Sequence, residues 1–180
     1  MLTQEQREVL LRTAREALVA AVQGRAYAPT CDDPRLEQPA AAFVTLRKHG
    51  DLRGCIGVTE PRKPLIQTVA EMARAAGLED FRFQPVEGRE VPELTIEISI
   101  LTPAERVKEV AEIEVGRHGL IIEQGRQRGL LLPQVPVEWG WDRETFLAQT
   151  CVKAGLRKDS WRTGAEIYAF TAEVFGEEEQ

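Results

Sequence analysis

The sequence predicts an α+β protein with a largely antiparallel sheet and flanking helices. Segments with apolar residues at helical spacing are mixed with strand-like segments, without the regular strand–helix–strand alternation that is typical of a parallel sheet. In addition, strand-like segments occur in pairs separated by short polar turns, as in antiparallel hairpins.

The first two predicted helices have clear start and stop residues. The capping box Thr3-Gln4-Glu5-Gln6 opens a segment with an apolar stripe, and Gly24 follows it, so we predict a helix over about residues 4–23. Pro64 suits the first turn of a second helix, which should end at Gly77.

A third helix is predicted between Asp142, which can cap its start, and Gly155, which should stop it. Cys151 falls on the apolar stripe of this helix, together with Phe146 and Leu147. We therefore expect Cys151 to be a core residue.

The strands are predicted as two hairpins and two single segments. Residues 42–47 and 52–58 flank the turn His49-Gly50-Asp51, and β-branched and aromatic residues in the first of them favour a strand. Leu94 to Ile100 alternates apolar and polar residues, which indicates one buried face. The remaining strands are expected at residues 119–123, 129–132 and 167–175.

The length and composition are typical of a single unit over residues 1–180, either one globular domain or a larger and a smaller lobe that share a core, with no separable linker. The net charge is −6 and the arginines and lysines are scattered, which disfavours nucleic-acid binding. No apolar run approaches the ~20 residues of a membrane helix. The N-terminus lacks a signal-peptide pattern, so we expect a cytoplasmic protein that binds no membrane.

The cysteine pattern argues against a metal site. The chain has three widely spaced cysteines, Cys31, Cys55 and Cys151, and only two histidines. No Cys-x-x-Cys pair and no glycine-rich phosphate-binding motif occurs. We therefore expect reduced thiols and neither a metal nor a cofactor.

The segment around Cys55 is the first candidate site. In a regular strand Arg53, Cys55 and Gly57 share one face, while the opposite face, which includes Leu52, is apolar and should meet the core. A neighbouring guanidinium would favour the thiolate form of Cys55. The two glycines, Gly54 and Gly57, are expected where another backbone or a ligand approaches closely. The alternative interpretation is a buried, structural cysteine.

Other polar and aromatic residues have two interpretations each. His118 could act as a base for the thiol or for a substrate, oriented by Asp80 or Glu138, or it could be a hydrogen-bonding loop residue. Arg82 could bind a carboxylate or phosphate group, or it could form a buried pair with Asp80 that locks a turn. The tryptophans could stack a planar ligand or simply bury a large area; they are Trp139, Trp141 and Trp161.

Several motifs resemble those of the AMMECR-type domain family, also called protein A of the AmmeMemoRadiSam system. The most specific is Leu52-Arg53-Gly54-Cys55-Ile56-Gly57, and the others keep the family's order over roughly residues 5–175. They are Phe43-Val44-Thr45-Leu46, Asp80-Phe81-Arg82-Phe83-Gln84-Pro85-Val86, Gly116-Arg117-His118-Gly119-Leu120, Gly129-Leu130-Leu131-Leu132-Pro133-Gln134-Val135 and Cys151-Val152-Lys153-Ala154-Gly155-Leu156. The chain departs from the family at Phe81, where proline is usual, and at Ala42, where glycine is frequent.

The resemblance implies an α+β fold with a larger and a smaller lobe and a cleft between them. It implies no established reaction. The family's name links it to proteins that accompany a radical S-adenosylmethionine enzyme, so a protein of that kind or a Memo-like protein is an expected partner. The chain lacks three closely spaced cluster-binding cysteines, which excludes it as the radical enzyme itself.

Two hypotheses follow. In the first, the protein is an enzyme or enzyme component that holds a small anionic ligand or modified residue in the cleft. Arg53 and Arg82 would bind the anion, Cys55 would be nucleophile or acid, and His118 the base. Gly54 and Gly57 would line the same concave surface. In the second, the protein is a non-catalytic module that docks onto a partner protein.

Overall fold

The computed structural model describes residues 1–178, which form two compact units. The first unit contains Met1–Leu101 and the segment from Glu173 onward, and the second contains Thr102–Ala172. Each unit has its own antiparallel sheet and its own hydrophobic cluster. The predicted α+β class is therefore confirmed, whereas a core shared by two lobes and a cleft between them stay predictions.

The helices and strands follow one another without regular alternation. In chain order they are α1 (Gln4–Val22), β1 (Ala41–Lys48), β2 (Asp51–Gly57), α2 (Leu65–Leu78), β3 (Leu94–Leu101), β4 (Glu105–Arg106), β5 (Gly119–Gln124), β6 (Gln127–Leu131), α3 (Gln134–Glu138), α4 (Arg143–Lys153), β7 (Glu166–Phe170) and β8 (Ala172–Gly176). Single turns of 3₁₀-helix lie at Val91–Glu93, Val110–Glu112 and Ser160–Arg162. Within residues 1–178 no helix is long and apolar enough to cross a membrane.

The first unit packs two helices against a four-stranded sheet with the order β2-β1-β3-β8. The capping box at Thr3 starts α1 as predicted, with the Gln6 amide donating to Thr3 Oγ1 at 3.2 Å and the Thr3 amide donating to Gln6 Oε1 at 2.9 Å. The core lies between the helices and the sheet. Its fully buried members include Leu10, Leu18, Val44, Leu46, Val69, Ile96 and Ile98.

The first hairpin turns at His49 and Gly50, as the sequence predicts. Both residues adopt left-handed backbone conformations, with φ of 51° and 82°. Two consecutive residues of this kind are typical of the tight turn whose twist matches that of the flanking strands. β1 and β2 therefore pair directly, with Thr45 opposite Cys55.

A bulge interrupts β2 beside this turn. Leu46 pairs with Gly54 and Arg47 pairs with Leu52, so Arg53 is the extra residue on its strand. The strict alternation expected from Leu52 onward is wrong at this end, because the bulge separates Leu52 from the residues that follow. Leu52 is 39% exposed instead of buried, while Gly54 and Ile56 lie on the core side.

The two glycines of β2 are close to different neighbours. A Cβ atom on Gly54 would lie 2.2 Å from the carbonyl oxygen of Ala76, so the backbone of α2 rests directly on the strand. A Cβ atom on Gly57 would lie 2.2 Å from Cγ of Phe43, whose ring covers this glycine. The predicted close approach of another backbone is confirmed for Gly54, and a side chain fills the space at Gly57.

The second unit packs α4 against a sheet with the order β4-β7-β5-β6. Asp142 caps α4 by accepting a hydrogen bond from the Thr145 amide at 2.8 Å, as predicted. Cys151 is fully buried, which confirms that it is a core residue. The cluster around it consists of Ile113, Leu120, Ile122, Phe146, Leu147 and Ile167.

The last strand and a short helix of this region differ from the prediction. The last strand, expected as one segment over residues 167–175, is broken at Thr171 into β7 and β8, which belong to different sheets. The break is stabilised by Thr102, whose amide donates to the Thr171 carbonyl and whose hydroxyl accepts from the Thr171 amide. The short helix α3 was not predicted, because five residues with an internal proline show no helical periodicity.

Gly54→Ala should lower the free energy of unfolding by at least about 2 kcal/mol, since the new methyl group would overlap the Ala76 carbonyl and force the helix away from the strand. Urea unfolding measures the change. Gly88→Ala is the matched control, because its Cβ would make an ordinary 3.7 Å contact with Val22. Equal stability of the two variants would contradict the close approach of α2.

Cys151→Ser should be more destabilising than Cys55→Ser. The first substitution places a more polar side chain in an apolar cluster, at a cost of about 1–2 kcal/mol, whereas the second places a hydroxyl beside the Thr45 hydroxyl. The two urea midpoints give the comparison. A wild-type midpoint for Cys151→Ser would show that this helix face is not packed as described.

Candidate functional site

Cys55 lies on β2, at the edge of the first sheet, and is partly buried. The hydroxyl of Thr45, on the neighbouring strand, lies 3.2 Å from the Cys55 sulfur and donates to it. The Cys55 amide donates to Oδ2 of Asp80 at 2.9 Å, and Nη2 of Arg82 donates to the Cys55 carbonyl at 3.4 Å. Side chain and backbone of Cys55 are thus held by separate partners.

Asp80 and Arg82 form a clamp on the backbone of Cys55. Arg82 binds Asp80 with two nitrogen–oxygen contacts, Nε to Oδ1 at 2.9 Å and Nη2 to Oδ2 at 2.7 Å. The Arg82 amide also donates to Oδ1 at 3.2 Å. The Asp80 side chain is almost completely buried, so of the two interpretations of Arg82 the structure shows the pair that locks the turn. The hydrogen bond from Arg82 lowers the pKa of Asp80 to about 2.

The clamp also explains why the Thr45 and Cys55 side chains meet. Because the Cys55 amide points outward to Asp80, it does not point toward β1, and Thr45 and Cys55 form the non-hydrogen-bonded type of cross-strand pair. In such pairs the Cα atoms are only about 4.5 Å apart and the side chains are close.

Arg53 is held by a carboxylate of its own. Its Nε and Nη2 atoms each lie 3.1 Å from an oxygen of Glu90, and Lys48 Nζ lies 3.7 Å from the same carboxylate. These contacts, led by the hydrogen bond from Arg53, lower the pKa of Glu90 to about 2. The ring of Phe83 lies 5.9 Å from the Arg53 guanidinium and 5.5 Å from that of Arg82.

The surroundings of Cys55 do not favour the thiolate that was expected from the sequence. Burial raises the pKa of the Cys55 thiol above its ordinary value, and the hydrogen bond from Thr45 and the charge of Arg82 oppose this only in part. The carboxylates of Asp80 and Glu97 raise it further. Arg53, which was expected to stabilise the thiolate, is instead paired with Glu90. The surroundings of Cys55 therefore favour the protonated thiol.

Two further polar residues lie on the same face of the sheet and were not predicted. Glu97 on β3 is opposite Thr45, and Ser99 on β3 is opposite Phe43. Ser99 is buried, and its hydroxyl has no hydrogen-bond partner within the described part of the chain. Alternating polar residues in β3 gave an indication of this face, but only the strand pairing places Glu97 in line with Thr45 and Cys55.

The turn after α2 exposes an aromatic side chain. Phe81 is 96% exposed, although it lies between the two residues of the clamp. The Phe83 amide donates to the Asp80 carbonyl at 3.0 Å, so the turn closes without the proline that is usual in the family. A hydrophobic side chain with this exposure is available for contact with another molecule.

His118 belongs to the second unit. Its Nδ1 atom accepts a hydrogen bond from the Glu114 amide at 3.0 Å, which leaves Nε2 as the protonated nitrogen of the neutral ring. It lines a cavity of about 430 Å³ together with Thr102, Arg106, Arg117 and Phe170. The interpretation as a hydrogen-bonding loop residue is thus supported, whereas its role as base and its convergence with Arg53, Cys55 and Arg82 stay predictions.

The tryptophans divide between the two interpretations. Trp141 and Trp161 pack against the core cluster of the second unit, as expected for residues that bury area. Trp139 is 70% exposed and stacks on Trp141, with ring centres 6.2 Å apart and planes at 17°. Burial is therefore the wrong interpretation for Trp139.

The three cysteines are free thiols. Within residues 1–178, no group of three or more histidine, cysteine, aspartate and glutamate side chains is placed to hold a metal ion. The chemistry that the described residues offer at this site is therefore that of a thiol, a hydroxyl, carboxylates and guanidinium groups.

Asp80→Asn should lower the free energy of unfolding by about 2 kcal/mol at pH 7, which corresponds to the depressed pKa of Asp80. Because a carboxyl group with a depressed pKa stabilises the fold only above its unfolded pKa of about 4, the difference from wild type should shrink as the pH falls from about 4 toward 2. Urea titrations across this range measure it. Glu60→Gln, which removes an exposed partner of Arg62, is the control and should change stability by less than about 0.5 kcal/mol. A difference independent of pH would contradict the ion pair.

The chain is similar to proteins of Thermococcus, Methanopyrus and Pyrococcus species over nearly its whole length. Protein TK0174 of Thermococcus kodakarensis is 48% identical, covering 95% of this chain and 90% of its own length. Protein MK0488 of Methanopyrus kandleri is 47% identical, covering 99% and 91%. The crystal structure of the uncharacterized protein PH0010 from Pyrococcus horikoshii is 43% identical, with a TM-score of 0.94 and coverage of 99% of this chain and 94% of that chain.

A family comparison agrees with the motifs around Cys55. The family model of AMMECR1 matches residues 11–175, which include most of the first unit, all of the second and every candidate residue described above. With this match and relatives well above 40% identity, the chain belongs to the AMMECR1 family.

Proposed function

We propose that the protein is an enzyme, or a component of one, that binds a small ligand next to Cys55 and uses its thiol. The observation that carries this proposal is the double restraint on Cys55, with its sulfur bound by the Thr45 hydroxyl and its backbone bound by Asp80 and Arg82. A cysteine that only fills space needs no such partners, whereas a reacting group is effective when neighbouring side chains fix its position.

The raised pKa of Cys55 bears on whether its thiol acts as a proton donor or as a nucleophile. At neutral pH Cys55 carries its proton, so it can donate that proton to a ligand, or it must lose it before attacking as a nucleophile. A neutral thiol also places no negative charge beside Asp80 and Glu97.

The charge of the ligand is the next part of the proposal. Arg53 and Arg82 each pair with a carboxylate, so the site does not hold two unpaired guanidinium groups that would attract an anion. The Arg82 side chain is nevertheless 47% exposed and lies next to the Phe83 ring. We propose that an anionic group of the ligand meets this exposed edge of Arg82.

The partner in this proposal is a radical S-adenosylmethionine enzyme or a Memo-like protein. The family resemblance supports it, since the family's name links these proteins. Phe81 supports a protein contact independently, because an aromatic side chain that is 96% exposed gains from being covered.

A second candidate function is a non-catalytic interaction module. The exposed Phe81 and Trp139 favour it, because large aromatic side chains on a surface are typical of protein contacts. In this case Cys55 would be a structural residue whose hydrogen bonds serve only the turn. Reactivity of the thiol separates the two functions.

Cys55 should react with iodoacetamide faster than Cys151, which is fully buried. Because the thiolate of Cys55 is disfavoured, its rate should rise at a higher pH than that of N-acetylcysteine, whose thiol is ordinary. Mass spectrometry of the folded protein gives both rates. Cys55→Ser, with Cys31 and Cys151 intact, identifies the signal.

Alkylation of Cys55 no faster than that of Cys151 would contradict the proposed function and favour the interaction module. Native mass spectrometry of the purified protein adds a second readout, since a small molecule carried through purification should be lost in Cys55→Ser if it binds at the thiol.

A further inference from the structure

Three polar side chains form a row across the first sheet. Cys55 on β2 is opposite Thr45 on β1, and Thr45 is in turn opposite Glu97 on β3. Residues directly opposite each other in an antiparallel sheet project from the same face. The row therefore places a thiol, a hydroxyl and a carboxylate side by side, on the face away from α1 and α2.

The burial of the row differs along its length. Thr45, in the middle, is only 4% exposed, while Cys55 and Glu97 at the two ends are both partly exposed. Cβ atoms of opposite residues are about 4.5–5.5 Å apart, a distance that the long side chain of a glutamate can span to the neighbouring hydroxyl. In the resting arrangement the Thr45 hydroxyl donates to the Cys55 sulfur. Because a hydroxyl both donates and accepts, rotating its proton toward Glu97 lets Thr45 accept from the thiol and donate to the carboxylate.

We propose that Glu97 accepts the proton of the Cys55 thiol through the hydroxyl of Thr45. The thiol proton passes to Thr45 Oγ1 as the hydroxyl proton passes to the Glu97 carboxylate. The sulfur electron pair then forms a bond to an electrophilic carbon, and the leaving group departs with the electron pair of the bond that joined it to that carbon. This inference rests on the proposed function, in which Cys55 is the reacting group.

The other acidic group near the thiol is less suited to this role. The charged groups that act on Cys55 are Asp80 and Arg82, from the turn after α2, and Glu97, from β3. Asp80 already accepts hydrogen bonds from Arg82 and from the Cys55 amide, and these lower its pKa to about 2. A carboxylate so stabilised is a poor proton acceptor.

The inference can be tested because two effects of Glu97 on the thiol have opposite signs. If Glu97 acts only through its charge, then Glu97→Gln removes a nearby negative charge, favours the thiolate and speeds alkylation at pH 7. If Glu97 accepts the proton, the same substitution slows alkylation. We expect a fall of at least about tenfold, since general base catalysis commonly contributes more than this.

Thr45 supplies a second, independent variant. Thr45→Val keeps the side-chain shape but removes the hydroxyl, so it should abolish the low-pH component of iodoacetamide alkylation of Cys55 as Glu97→Gln does. Loss of the hydrogen bond alone would only move the alkaline limb to higher pH. Thr45→Ser keeps the hydroxyl and should restore most of the wild-type rate. Glu60→Gln removes an exposed carboxylate that pairs with Arg62 and is the control for net charge. Urea midpoints verify that each variant is folded.

The pH profile distinguishes a proton acceptor from a structural residue. In wild type, alkylation should retain a component below the pKa of the thiol. Glu97→Gln should remove that component, while the alkaline limb persists and moves to lower pH because the Glu97 charge is lost. A rate for Glu97→Gln equal to or above wild type at pH 7 would overturn the proton-transfer row while leaving the proposed function intact. Wild-type Cys55 that is not alkylated would instead overturn the proposed function itself.

Discussion

The contact between the backbone of Gly54 and the carbonyl of Ala76 determines where the candidate site forms. Because Gly54 has no side chain, α2 lies directly on β2. The contact is made at Ala76, close to the end of the helix at Leu78. The turn that follows the helix is thereby brought to the edge of the sheet, where Asp80 and Arg82 reach the backbone of Cys55. A larger residue at position 54 would separate the helix from the strand and move the clamp away from the thiol.

The positive charges around Cys55 are paired with carboxylates. Each of the two arginines is occupied by a carboxylate, and Glu97 adds a further negative charge on the adjacent face of the sheet. Burial and these carboxylates keep the thiol protonated, so its activation depends on where the proton can go. This differs from a cysteine activated by an adjacent cation, which loses its proton before any ligand arrives.

Local patterns in the sequence predicted the elements but not the contacts that bring distant residues together. The capping box at Thr3, the turn at His49-Gly50 and the buried face of Cys151 each depend on residues within a few positions, and each is confirmed. The bulge at Arg53 was not predictable, because it depends on the register with β1.

The same limit applies to the site. The pairing of Arg53 with Glu90 joins residues 37 positions apart, which no local pattern indicates. The alignment of Thr45 with Glu97 likewise requires the order of the strands. The break at Thr171 was missed because apolar alternation continues across it, although the two halves join different sheets.

Because β2 is an edge strand of its sheet, the clamp formed by Asp80 and Arg82 has a second role. An unprotected edge strand presents amides and carbonyls that can pair with a strand of another molecule, which is a common route to aggregation. At Cys55 those groups are already engaged by the carboxylate of Asp80 and the guanidinium of Arg82, which imitate the hydrogen bonding of a neighbouring strand. The clamp that restrains Cys55 therefore also disfavours self-association at this edge of the sheet.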